Sequence, residues 1–191
     1  MALTRLGPNN SSSISGINLT SQVTGTLPTG NGGTGATSFA PGKVLQAVTS
    51  VNTYGSQSST STSYFDMQSA SGTSWETSIT PSATSSKILI LFSSQIMGTG
   101  NEQEQRNMTK LVQKIGSNSY TDLTYQKGGI YNSGAAVSIQ PNQSMGLIYL
   151  SSPNTTSACT YKLQLLTSSS GVTIIPNHGS YSTCALMEIA G

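Results

Sequence analysis

The residues able to do acid–base, nucleophilic or metal chemistry are few and scattered. His178 is the single histidine and falls in the turn-like Pro176-Asn177-His178-Gly179. A Ser–His–Asp triad would have to rest on that one loop imidazole. A histidine-rich metal site cannot form within one chain, although three copies on a shared axis would bring three His178 rings together. The carboxylates are Asp66, Glu76, Glu102, Glu104, Asp122 and Glu188. A glycosidase sets two of them across a cleft. Glu102 and Glu104 are neighbours in sequence, but the stretch 98–106 reads as a solvated charged loop. Cys159 and Cys184 each sit in an alternating apolar run, where a cysteine behaves as a small buried hydrophobe, so free thiols are expected. The Gly-rich run 30–35 lacks the Gly-Lys-Ser/Thr of a phosphate loop, which argues against nucleotide binding. We therefore expect no catalytic residue, no cofactor and no resident metal.

Binding needs less. Tyr54, Tyr64, Tyr120, Tyr125, Tyr131 and Tyr181 lie beside turns or strand ends. Aromatic rings stack on sugars and carry contact surfaces, but a tyrosine is more often a packed core residue, and no host-contact site is read from these positions. Charge narrows the partner classes. Only 7% of the 191 residues are charged and the net charge is +2, against about 25% charged in an average soluble domain. The eight Lys and Arg residues form no basic run, so nucleic acid is not an expected partner. The N-terminus lacks the apolar core of a signal peptide, and no stretch approaches the about 20 apolar residues of a membrane helix. Neither export by a cleaved signal nor membrane insertion is expected.

The elements that must position these groups are strands. Residues 1–41 are rich in Gly, Asn, Ser and Thr, with isolated apolar residues and three prolines, Pro8, Pro28 and Pro41. Such a segment cannot close a core and orders only against a partner. From residue 42 onward, β-branched runs alternate with turn signals such as Pro81-Ser82, Gly128-Gly129, Pro141-Asn142 and Ser170-Gly171. Candidate strands are 44–54, 64–68, 75–80, 87–95, 109–115, 119–126, 136–139, 144–150, 158–166, 172–175 and 184–189. The apolar run after Lys87, through Phe92, predicts a central strand covered on both faces. Alternation in Tyr161-Lys162-Leu163-Gln164-Leu165 predicts Lys162 and Gln164 facing water. Only 101–115 carries enough Glu, Gln and Lys to attempt a short helix. The expectation is an all-β protein: an extended arm over 1–41 and a β-sandwich, jelly-roll-like head over 42–191. The segment 75–92 loosely resembles the strand–turn–strand opening of trimeric jelly rolls of the tumour-necrosis-factor and complement type.

One segment is more specific. Val23-Thr24-Gly25-Thr26-Leu27-Pro28-Thr29-Gly30-Asn31-Gly32-Gly33-Thr34-Gly35 resembles a signature found near the N-termini of tailed-bacteriophage fibre proteins. Gly42-Lys43-Val44-Leu45-Gln46-Ala47-Val48, the stretch 79–90 and Leu186-Met187-Glu188-Ile189-Ala190-Gly191 resemble structural proteins of phages of aquatic bacteria, cyanophages among them. The resemblance implies a virion protein made in the bacterial host cytoplasm, usually a homotrimer. It would attach to other tail or virion proteins through the arm and meet a host-surface glycan or protein with its head. Val23, Gly25, Leu27, Pro28, Asn31, Gly32, Gly33 and Gly35 would then be the attachment residues. Glycine permits the close backbone approach that three chains near one axis require. No long repeats follow residue 41, which favours a short tail fibre or receptor-binding subunit over a long fibre. A head-decoration or baseplate protein without host contact is the alternative, and a polysaccharide-degrading tailspike a third.

Overall fold

The structure is a computed structural model that describes residues 44–53, 57–100, 104–131, 142–167, 172–176 and 181–191. The predicted arm, His178, Glu102, Tyr54 and the candidate strand 136–139 lie outside the described residues. Ten strands form: β1 (Val44–Asn52), β2 (Phe65–Asp66), β3 (Thr77–Ile79), β4 (Lys87–Gly100), β5 (Glu104–Ile115), β6 (Thr121–Tyr131), β7 (Asn142–Ser151), β8 (Cys159–Thr167), β9 (Val172–Pro176) and β10 (Ser182–Ile189). All described pairings are antiparallel. The protein is all-β, as its alternating patterns predict.

Two sheets form. The first, sheet A, runs β1-β10-β4-β7, with β9 continuing along β4 beyond β10; the second, sheet B, runs β2-β8-β5-β6, with β3 also on β8. Their inner faces share one core. Ile88, Ile90, Phe92 and Ile96 of β4, Leu147 of β7 and Cys184 and Leu186 of β10 come from sheet A. Ile79, Leu111, Cys159, Tyr161, Leu163 and Leu165 come from sheet B. In β4, β8 and β10 the core residues recur at every second position, which is the period a strand imposes. The two cysteines are buried free thiols in different sheets.

Between β2 and β3 the chain leaves the sheet edge and returns. Met67 still bonds to β8 through its amide, Met67 N donating to Leu163 O at 3.1 Å, and Trp75 N closes the excursion on Met67 O at 2.7 Å. Gly72, at φ 77°, makes the turn that side chains rarely adopt. The excursion drops Met67 and Trp75 into the core, where the indole meets the Phe92 ring of the opposite sheet edge-on at 5.6 Å.

The candidate strand 109–115 forms and extends back to Glu104, which settles the short helix left open over 101–115: Leu111 pairs with both β6 and β8, and the tertiary pairing overrides the helix-forming Gln and Lys residues. Two expectations are corrected. The run after Lys87 is central, between β10 and β7, but only Ile88, Ile90 and Phe92 are buried. Leu89 and Leu91 stay partly exposed on the outer face. Lys162 does not face open water. It is 6% exposed, covered by neighbours on the outer face of sheet B.

Candidate functional site: two unlike outer faces

The chemistry-bearing side chains gather on the outer face of sheet B. Register decides this. Lys110 of β5 stands opposite Gln164 of β8, Val112 opposite Lys162, and Lys114 opposite Thr160. On the other side of β8, Asp66 stands opposite Gln164. Lysines from two strands therefore rise as neighbours, and like charges so placed repel unless compensated.

Compensation comes from residues far away in sequence. Lys162 Nζ lies 2.7 Å from Asp66 Oδ2 and 3.6 Å from Glu76 Oε1, and 3.9 Å from the centre of the Tyr120 ring. Lys114 approaches the same Glu76 at 3.9 Å and the same ring at 4.9 Å. A second group sits beside it. Lys110 Nζ is 3.0 Å from Asp122 Oδ1 and 4.2 Å from the centre of the Tyr64 ring. Tyr125 donates its hydroxyl to Asp122 Oδ2 at 2.6 Å, and its ring lies 6.4 Å from Tyr64. Each cation is thus held by carboxylate and π-face together.

The electrostatics follow. Burial pushes the Asp66 carboxyl up, but hydrogen bonds from Lys162 and Gln164 and the Lys162 charge outweigh it and hold it below the ordinary value. The Asp122 carboxyl is lowered first by the Tyr125 hydroxyl and then by Lys110. Burial, with Glu76 nearby, raises the Tyr120 phenol. Two carboxylates, Asp66 and Glu76, meet at Lys162, but a general acid needs a raised carboxyl, and Asp66 moves the other way. Beside Asp66 a shallow polar hollow of about 450 Å³ opens between Gln57, Ser59, Phe65, Gln68 and Ser74.

The outer face of sheet A is the opposite. Three rows cross its four strands in register: Thr49, Ala185, Leu91 and Ile148; Ala47, Met187, Leu89 and Leu150; Val51, Thr183, Ser93 and Gly146. None is charged. Lys87, at the first position of β4, is the charge that stands at the end of this face among the described residues. Ile148 is 72% exposed, Val51 58% and Leu150 50%. Between the Val51 and Ile148 ridges the small Ser93, Ala185 and Gly146 leave an apolar hollow of about 380 Å³.

A buried carboxylate lies between the sheets' ends. Glu188 of β10 accepts from Ser82 N at 2.7 Å, Ser82 Oγ at 2.6 Å and Gln46 Nε2 at 2.6 Å. Gln46 Nε2 also reaches Thr80 O at 2.6 Å. Burial raises the carboxyl, yet these hydrogen bonds overcome it and bring its pKa to about 2. The group pins the Pro81-Ser82 turn to β1 and β10 and lines neither of the two hollows.

Of the tyrosines singled out in the sequence, Tyr64, Tyr120 and Tyr125 are brought together on sheet B, while Tyr181 is exposed beside β10 in the other sheet. Tyr131 closes β6 and Glu104 opens β5. The attachment residues Val23, Gly25, Leu27, Pro28, Asn31, Gly32, Gly33 and Gly35 lie outside the described residues. Sequence reasoning missed the Asp66–Lys162–Glu76 group. Its one local signal is a lysine at an alternating position of a strand whose neighbours are all core residues. Among the described residues no three His, Cys, Asp or Glu side chains gather as a metal site.

No family model matches the sequence, and no curated protein matches it. Among solved structures, one of infectious bursal disease virus, strain Gx, overlays with TM-score 0.33 at 12% identity, over 78% of this chain and 39% of that chain. Another, of strain Gt, overlays with TM-score 0.31 at 13% identity, over 76% and 35%. The chain thus spans well under half the length of either, and an overlay this loose carries no conclusion about function.

Proposed function

We propose that this chain is a structural protein of a bacteriophage virion, a short tail fibre or receptor-binding subunit. It attaches through residues 1–41 and presents the sandwich to the host surface as a homotrimer. The N-terminal signature supports the virion assignment. The observation that carries the rest is the division of one sandwich into an uncharged outer face, suited to burial in an assembly, and a polar aromatic face, suited to display. Counting β2–β3 and β9–β10 each as one interrupted strand, the sheets read first-eighth-third-sixth and second-seventh-fourth-fifth. That is the double Greek-key connectivity of a jelly roll, which supports the predicted head.

The head works by binding. Asp66, Asp122 and Glu188 are engaged in ion pairs or hydrogen bonds that favour the charged form, the reverse of what an acid catalyst needs. Trimerisation would multiply weak contacts through effective concentration. One observation favours the architectural alternative: the sheet B charges already satisfy one another, leaving little to be gained from a charged ligand.

Locating the protein in purified particles tests the proposal, together with competition between the purified full chain and phage for host cells. Presence on the tail with competition is the expected result. Presence without competition leaves the architectural reading. Release of soluble oligosaccharide from the host envelope would make it a tailspike, and absence from particles would end the virion reading.

A further inference from the structure

We infer that the outer face of sheet A is the surface through which copies of this chain pack against one another. This deepens the reading of the chain as a self-assembling subunit and rests on it for the number of copies. The apolar run from Ile88 to Phe92 has the composition of a strand buried on both sides. One chain buries only the inner side; Leu89 and Leu91 remain partly exposed. A second body seated on this face would supply the other side.

Its identity follows from what the face offers. Twelve residues in three register-matched rows carry no charge, so among the described residues a partner chosen by charge complementarity finds only Lys87 at the margin. Another copy brings an equally uncharged surface and is always present at the same concentration. Four strands about 4.8 Å apart, with three outward residues about 6.6 Å apart on each, cover roughly 400 Å². An exposed apolar patch of this size is often functional; it is about half of the roughly 800 Å² that each partner gives a standard stable interface, so the contact also takes in residues around the three rows. The point where the remaining chain enters agrees. Val44, 52% exposed, opens β1 at the edge of this face. Copies joined with their Val44 ends on the same side would set their Gly-rich N-terminal segments side by side, and those segments have the composition that close backbone approach requires.

The test is sedimentation velocity of the full chain at micromolar concentration, on wild type, Ile148→Asp and Val51→Asp. Both positions are exposed in the single chain, so each variant keeps its fold, checked by circular dichroism melting. Tyr125→Ser, at a residue 56% exposed on the opposite sheet, is the control. The expected result is an oligomeric wild type and control, with self-association weakened on the order of 100-fold in the Asp variants, because a carboxylate would be buried unpaired in the contact. A monomeric wild type, or Asp variants that associate like wild type, would overturn the inference. The outcomes separate from the virion proposal: a chain that assembles through this face but is absent from particles loses the virion reading and keeps the interface. A chain found in particles whose assembly ignores both Asp variants loses the interface alone.

Discussion

The outer faces of sheets A and B have the same backbone and opposite side-chain logic. Sheet B sets three lysines, Lys110, Lys114 and Lys162, on adjacent strands and then closes each with carboxylates and tyrosine rings drawn from other parts of the chain. That face is complete within one molecule. Sheet A places uncharged and apolar residues at the equivalent positions and leaves them open. The contrast teaches where each face carries its consequences. Damage to sheet B is felt in folding, because its members depend on one another. Damage to sheet A should be felt in association, because the residues of its three rows carry no ion pair among the described residues and several stand exposed.

The largest effect on folding should come from Lys162→Ala. It removes the cation that Asp66 and Glu76 share and leaves only Lys114, 3.9 Å from Glu76, in its place. Removing one partner of a fully buried pair costs about 3–5 kcal/mol. Here the carboxylate side chains are 33% and 31% exposed, so about 2–3 kcal/mol is expected in urea unfolding. A loss below about 0.5 kcal/mol would show that the sheet B group is ornamental and break the contrast.

Glu188→Gln comes next, at about 2 kcal/mol, since an amide nitrogen would oppose the Ser82 donors. Its pH signature is distinctive. The folded carboxyl lies near 2, below its ordinary 4.5. Its contribution is therefore complete above about pH 4.5 and is lost as pH falls toward 2. Wild-type stability should fall across that window and the variant's should fall less, keeping the slope due to groups such as Asp66 and Asp122, which are shifted the same way. Parallel acid limbs for both proteins would contradict the assignment.

A smaller effect is expected for Lys110→Ala. Its partner Asp122 has a side chain 44% exposed, and exposed pairs contribute about 0.2–1 kcal/mol. The loss should disappear in 1 M salt, whereas that of Lys162→Ala should persist. The smallest effect on folding belongs to sheet A: Ile148→Asp should change the stability of the dissociated chain by less than about 0.5 kcal/mol while weakening assembly strongly. A large folding defect there would mean that Ile148 belongs to the core and not to an outer face.

Much of this is legible in the residues. Alternation in 161–165 and 184–189 announces strands and their inner faces, because a strand's period of two is local geometry. The apolar run 88–92 announces a central strand for the same reason. The cysteines' apolar settings announce buried thiols, and burial indeed raises Cys184 to about 12. What the pattern misreads is also instructive. Lys162 has the spacing of a solvated residue, but Asp66 lies 96 positions away and Glu76 on another segment; no local period can announce them. For 101–115 the pattern leaves a short helix open beside the candidate strand 109–115, and only the pairing with β6 and β8 decides for strand.

By itself, then, the sequence determined the strand class, the inward set of side chains and the poverty of catalytic groups, since these depend on residue type and on spacings of one or two positions. The tertiary structure alone decided which strands became neighbours. That choice gathered distant charges into one compensated face and left the other face uncharged and open, because strand register is fixed by contacts between segments up to a hundred or more residues apart.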